Sequence, residues 1–246
     1  MLRKYFSKKT AKTTGRIKWR SHEPTRIEAF SDAVFAFAVS LLVFSLEVPK
    51  TSEELINGMK AFFPFLFCFG VIFSIWHAQY KFFRHYGMHD NVTIILNALL
   101  VAMVLGYMYP LKFMVSGWML HGVGITLRRE DILPLMFIYN GGFSVIYLLF
   151  SLMYYNAHLR SAELKLTPVE EFETVTYIYN NLIVTFVGVA VIIAAVIFYL
   201  VTPRLTFIGC SFYWLLGPLF AIVGKRREKL FHKKFGNMPE PVLGDE

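Results

Sequence analysis

Charge is scarce in this chain: Asp, Glu, Lys and Arg make up 17% of residues, against 56% hydrophobic and a mean hydropathy of +0.49. Soluble domains carry about 25% charged residues, so a water-soluble globular fold is excluded. Cysteine is almost missing. Cys68 and Cys210 are the only two, and both sit inside apolar runs, where they read as small packing residues rather than a disulfide frame. The chain has no His-Glu-x-x-His, no Gly-x-Ser-x-Gly, no P-loop and no Cys-x-x-Cys pair, which removes the common hydrolase, nucleotidase and redox chemistries. Short alternating strands are also missing, and with them a transmembrane barrel.

Long uncharged stretches are what the sequence has in abundance. Residues 61–80 (His77 taken as neutral), 91–111, 132–157, 174–203 and 205–224 contain no Asp, Glu, Lys or Arg. Each has 20 or more residues, the length a helix needs to cross a bilayer. A sixth segment is shorter: 33–46 is uncharged for only 14 residues, so its span must reach back through Asp32 and Glu28. Ionised groups at that depth face protein or water, not lipid. The expected fold is an all-α membrane protein with six transmembrane helices.

Orientation follows from the cations. With six spans both termini share one side, and nineteen of the 25 Lys and Arg fall there, leaving six opposite. The bias puts both termini in the cytoplasm. The net charge of +8 suits anionic headgroups of the lipid bilayer and needs no nucleic acid to explain it. The first 22 residues have no Asp or Glu before His22. They read as a basic cytoplasmic tail, although a transit peptide shares that composition. Residues 1–23 are thus a tail, 24–225 one membrane domain, and 226–246 a second cytoplasmic tail.

Local signals are few. Thr167-Pro168-Val169-Glu170 reads as an N-cap with Pro at the first helical position, and Thr51-Ser52-Glu53-Glu54 as a second cap. Asn140-Gly141-Gly142 and Gly217-Pro218 are the two places where a helix could break. His85 and His89 stand at i,i+4 spacing, but Gly87 and Asp90 mark a turn there, and no metal ligation is expected. No cofactor is implied.

The first helix carries the clearest geometry. Arg26, Phe30, Ala33, Phe37, Leu41 and Phe44 fall at steps of four and three, one stripe at helical period. Such a stripe serves packing or lipid contact as readily as a pore. Asp32 lies about 140° from Phe37 around the helix, off the stripe, where it would act as a cap or an interhelical polar group, or else bind an ion.

Arg26-x-x-x-Phe30-Ser31-Asp32, the apolar run behind it and Glu47-Val48-Pro49 resemble the first helix of the transmembrane protein 175 family. The likeness continues through Trp76, Phe82-Phe83-Arg84, Asn97 and Tyr109-Pro110-Leu111-Lys112-Phe113. It implies a potassium-permeable channel of the prokaryotic, single-repeat type, a homotetramer in a cell membrane, with the first helix lining the pore. It implies apolar rings as the constriction in place of a carbonyl filter, whose Gly-Tyr-Gly type this chain lacks. Carried over by position, the narrowest ring falls at Phe37, with Leu41 and Phe44 as further layers and Ser40 as a candidate polar pore-lining group. The motif residues Arg26, Phe30, Ser31 and Asp32 are structural in this reading. Two departures stand out. The family usually has an aliphatic residue at the Phe37 position, and it often has adjacent histidines where this chain has Gln79 and Tyr80. The chain is not read as an enzyme. The competing readings are a proton-coupled or other secondary transporter, which wants broken helices and midplane ionisable groups, and a non-conducting membrane scaffold.

Overall fold

The computed structural model describes residues 17–21, 23–44, 51–52, 56, 59, 62–119, 131–201 and 213–236. Six long helices carry them: α1 Arg26–Phe44, α2 Phe62–Tyr86, α3 Asn91–Met119, α4 Ile132–Leu159, α5 Pro168–Val201 and α6 Leu216–Phe235. Among the described residues there is no strand. By length and composition, α3 over Asn91–Phe113, α4 and α5 are each long and apolar enough to cross a membrane. The apolar runs of the first and sixth segments extend into 45–46 and 205–212, outside the described residues.

Three helix starts, those of α1, α3 and α5, are set by a short polar residue. At α1, Thr25 and Glu28 form a reciprocal box: Thr25 N–H donates to Glu28 Oε1 at 3.0 Å, and Glu28 N–H donates to Thr25 Oγ1 at 3.3 Å. At α5 the expected cap is present, with Thr167 N–H donating to Glu170 Oε2 (2.9 Å), Glu170 N–H returning to Thr167 Oγ1 (3.3 Å), and Pro168 opening the helix. At α3, Asp90 Oδ2 accepts from Val92 and Thr93 N–H, and Oδ1 from the Thr93 hydroxyl. Before it, α2 stops at Gly87, whose φ of +59° is in the left-handed region that favours glycine. Of the second cap expected from the sequence, at 51–54, residues 53–54 lie outside the described residues.

Packing follows chain order. α1 leans on α2 and α3, α3 on α4, α4 most extensively on α5, and α5 on α6. The core is built from rings and branched chains of α2, α3 and α4, among them Phe82, Phe83, Tyr86, Leu100, Ile146 and Phe150. Along α2 a column of rings climbs through Phe65, Phe69, Phe73, Trp76 and Tyr80 at centroid spacings of 5.4–6.2 Å. α4 runs unbroken through Asn140-Gly141-Gly142. The glycine there serves close approach: a β-carbon at Gly142 would sit 2.6 Å from the Tyr107 ring of α3. α6 continues past Gly224 to Phe235. Phe231 and Phe235 pack on Phe172, and the Arg227 guanidinium lies 3.9 Å over the Phe172 ring.

One end of the bundle gathers the start of α1, the end of α2, the start of α5 and the end of α6. Residues 17–21 lie across it. Arg20 N–H donates to the Arg84 carbonyl (2.9 Å), and the Arg20 guanidinium pairs with Glu170 at 2.6 Å. Lys18 N–H donates to the other Glu170 oxygen, and Ile17 is buried. The last residues of the basic tail are therefore docked on the helices. Beside them, Asp90 joins α3 to α4 by accepting from Asn156 Nδ2 (3.2 Å) and pairing with Arg160 (3.5 Å).

Candidate functional site

α1 has two unlike faces. Glu28, Ser31, Phe35 and Ala38 are buried, a seven-residue repeat turned onto α2 and α3. The stripe read from the sequence is the bare face. Phe30 is 60% exposed, Phe37 57% and Leu41 49%, and Arg26 and Ala33 are exposed with them. An apolar face this long, left open by its own chain, is met by lipid, by other copies, or by a wet path between them. Phe44 ends α1, and its side chain lies outside the described residues. Ser40 is half-buried, and its hydroxyl donates to the Ala36 carbonyl at 2.9 Å, so only its oxygen lone pairs are turned outward for a further partner.

The buried face of α1 carries one residue of the motif, Ser31. Ser31 is fully buried. Its hydroxyl donates to the Ile27 carbonyl (2.9 Å) and accepts from Asn97 Nδ2 of α3 (2.8 Å). Asn97 Oδ1 in turn accepts from Gln79 Nε2 of α2. Three helices are thus tied at one buried point by uncharged groups. Burial makes each partner hard to lose, since an unpaired amide in an apolar site is costly. Gln79 fills one of the two positions where the family often carries histidine, and its amide makes the interhelical bond. Tyr80 fills the other with a ring stacked between Trp76 and His77.

Asp32 lies one residue on, outside the buried face. It remains exposed, yet its Oδ1 accepts from Trp76 Nε1 of α2 at 2.7 Å. Glu28, two turns from Phe35, faces Arg84 at 3.8 Å, and the Arg84 guanidinium also donates to the Ser21 carbonyl and lies 5.1 Å over the Tyr80 ring. Arg26, the first residue of the motif, points into the open. Farther on, the Pro110 carbonyl inside α3 accepts from the Tyr139 hydroxyl of α4 (2.7 Å), a bond between the two helices.

Sequence reasoning singled out Trp76, Arg84 and Asn97 but did not pair them with α1. Nothing in a periodicity joins Ser31 to Asn97 across 66 residues or Asp32 to Trp76 across 44. The expected turn at His85–Asp90 is present. His85 is buried at the end of α2, His89 caps back onto the Gly87 carbonyl, and among the described residues no group of three potential metal ligands gathers.

Comparison with known proteins fits this arrangement. Residues 26–107 match the family described as the endosomal/lysosomal potassium channel TMEM175. A potassium channel of Marivirga tractuosa is 36% identical over 223 residues, covering 86% of this chain and 90% of that protein. A potassium channel of Streptomyces collinus is 32% identical over 95 residues, 36% of this chain and 46% of its own length. In three dimensions the chain superposes on the crystal structure of a variant of the potassium channel MtTMEM175, bound to a nanobody–MBP fusion. The TM-score is 0.79 at 35% identity, over 87% of this chain and 97% of that one. These are channels and not enzymes, and the chain belongs to the TMEM175 potassium-channel family.

Proposed function

We propose that this protein is a potassium-permeable channel assembled from four copies in a prokaryotic cell membrane, with all six helices spanning and both termini cytoplasmic. In this reading α1 of each copy lines the pore. Phe37 forms the narrowest ring, Leu41 and Phe44 the next layers, and Ser40 a polar group between them. The observation that supports it best is the two-faced α1. Ser31, Phe35 and Ala38 hold the helix by one side, while Phe30, Phe37 and Leu41 stand uncovered on the other.

The mechanism follows from what apolar rings can and cannot do. They offer a cation no ligand to replace its water, so passage through Phe37 requires the ring to be wetted or the ion to be partly dehydrated. Closing is then dewetting at the same place. The Ser31–Asn97–Gln79 tie and the Asp32–Trp76 bond hold α1 at a fixed rotation, which is what keeps the phenyl rings rather than the small residues on the axis. The transporter reading loses its main support, since α4 is continuous where Asn140-Gly141-Gly142 offered a break.

Cysteine substitution tests the lining. In a Cys68→Ala, Cys210→Ala background, Phe37→Cys places four thiols around the axis. External or internal cadmium should then block potassium flux in proteoliposomes, while Phe35→Cys, on the buried face, should leave it unblocked. Cadmium insensitivity of a conducting Phe37→Cys protein would remove α1 from the pore.

A further inference from the structure

A cleft of about 360 Å³ opens on the side of the bundle away from α1, and neither the packing of the core nor the proposed pore uses it. Its floor is α4, with Tyr147, Phe150 and Tyr154. One wall is α2, through Ser74, His77 and Lys81, and the other is α5 around Asn180 and Val184, with Phe220 of α6 at the rim. α2 and α5 meet below the cleft, where the Tyr86 hydroxyl bonds Thr174 Oγ1 at 2.7 Å and the His85 ring lies 6.3 Å from Tyr177; above that point both rest on α4, whose Tyr154 ring stacks on Tyr177 at 5.0 Å.

The two ends of this cleft differ chemically. Lys81 is the one charged residue in the lining, and no described carboxylate forms an ion pair with it. His77 stands one turn deeper, its ring held by Phe73 and Tyr80, and Asn180 adds an amide across the gap. Beyond them the walls turn apolar, through Val184, Phe150 and Phe220. Lys81 is the first residue after the uncharged run 61–80, so the cationic end lies at the membrane edge. Ser74, seven residues deeper, is roughly 10 Å farther in. The order is head outside and tail inside. The volume falls within the roughly 300–1,000 Å³ of small-molecule sites, enough for a phosphate-bearing headgroup and the first part of one acyl chain.

We infer that this cleft binds an anionic phospholipid of the leaflet facing the chain termini, with the lipid phosphate on Lys81 and an acyl chain over the Phe150 ring. A cation without an acidic partner beside an apolar trough is complementary to an anionic amphiphile. A zwitterionic lipid brings its phosphate together with a headgroup cation that competes with the Lys81 ammonium, and a free anion would leave the trough unfilled. The inference needs the chain to be in a membrane but does not depend on α1 lining a pore, and its readout is lipid, not current.

The test is native mass spectrometry of the purified full-length protein in detergent, titrated with equal phosphatidylglycerol and phosphatidylcholine. Wild type should retain phosphatidylglycerol in preference. Lys81→Gln should lose that preference by roughly tenfold, the weight of one charge-assisted hydrogen bond. Lys229→Gln, an exposed cation on α6 outside the cleft, should keep it. Ser74→Trp, which fills the apolar end from an exposed position, should reduce retention of both lipids. Unchanged preference in Lys81→Gln would overturn the inference, as would displacement of the lipid by excess inorganic phosphate.

Discussion

The tie between α1, α2 and α3 makes a quantitative prediction. Asn97→Leu keeps the side-chain volume close to native and removes both of its hydrogen bonds. The two partners lose unequally. Ser31 still donates to the Ile27 carbonyl, so it forfeits only an accepted bond, whereas the Gln79 amide, 3% exposed, loses its acceptor. Stranding a buried donor costs about 1–3 kcal/mol, while side-chain hydrogen bonds measured inside membrane proteins average near 0.6 kcal/mol with a ceiling near 1.7 kcal/mol. The expected loss for Asn97→Leu is therefore about 1–2 kcal/mol per chain. Gln79→Leu should cost less, because Asn97 keeps its bond to Ser31. The double variant Gln79→Leu/Asn97→Leu should be no worse than Asn97→Leu alone, since neither amide then remains unpaired, giving a coupling of about 1 kcal/mol. Unfolding of purified protein in mixed detergent and SDS micelles, followed by fluorescence of the 4 tryptophans at fixed protein concentration, measures all four corners of the cycle. Additivity within about 0.3 kcal/mol would refute the argument that these amides support each other.

Other substitutions probe separate joints. Asp32→Ala should lower the yield of assembled protein by unpairing Trp76 Nε1 while leaving ion preference in the surviving channels unchanged, and Asp32→Asn, which keeps an acceptor, should restore the yield on size exclusion. Gly142→Ala should destabilise the α3–α4 contact by about 1–3 kcal/mol in the same unfolding assay, because the new methyl meets the buried Tyr107 ring and neither can move aside. Asp90 gives a pH dependence. Burial opposes its ionisation, but bonds from Thr93 and Asn156 and the charge of Arg160 outweigh that and hold its pKa below the ordinary 3.8. Its stabilisation is thus fully present above pH 3.8 and lost as pH falls through the lower folded value. The stability gap between wild type and Asp90→Asn should be constant near neutrality and shrink below about pH 4, read by unfolding midpoints across that range.

How much of this was legible in the sequence depends on the range of the interaction. Local rules worked. Thr167-Pro168-Val169-Glu170 caps α5 as its residue types demand, and the i,i+4 and i,i+3 stripe on α1 is the face its own chain leaves open. Asp32 could be placed off that stripe by counting residues, but its partner Trp76 could not, because hydrogen bonds between helices depend on how the helices are rotated and stacked. The same holds for Gln79 with Asn97 and for Arg20 with Glu170, 150 residues apart. One local reading was overridden by packing. Asn140-Gly141-Gly142 looks like a helix break, yet the Tyr107 ring occupies the room that the glycine opens and α4 continues. After Gly224, Phe231 and Phe235 give the basic stretch an apolar edge that docks on Phe172, a partner that composition does not name.

The account stands on Phe37 being at the pore axis. The direct measurement is potassium flux into proteoliposomes at equal assembled protein for wild type, Phe37→Ala and Phe186→Ala, the last an equally bare phenylalanine on α5. Removing a ring from the constriction should widen and wet it, so Phe37→Ala should conduct faster than wild type and discriminate less between potassium and sodium, while Phe186→Ala should match wild type on both counts. Wild-type flux and selectivity in Phe37→Ala would contradict the central claim.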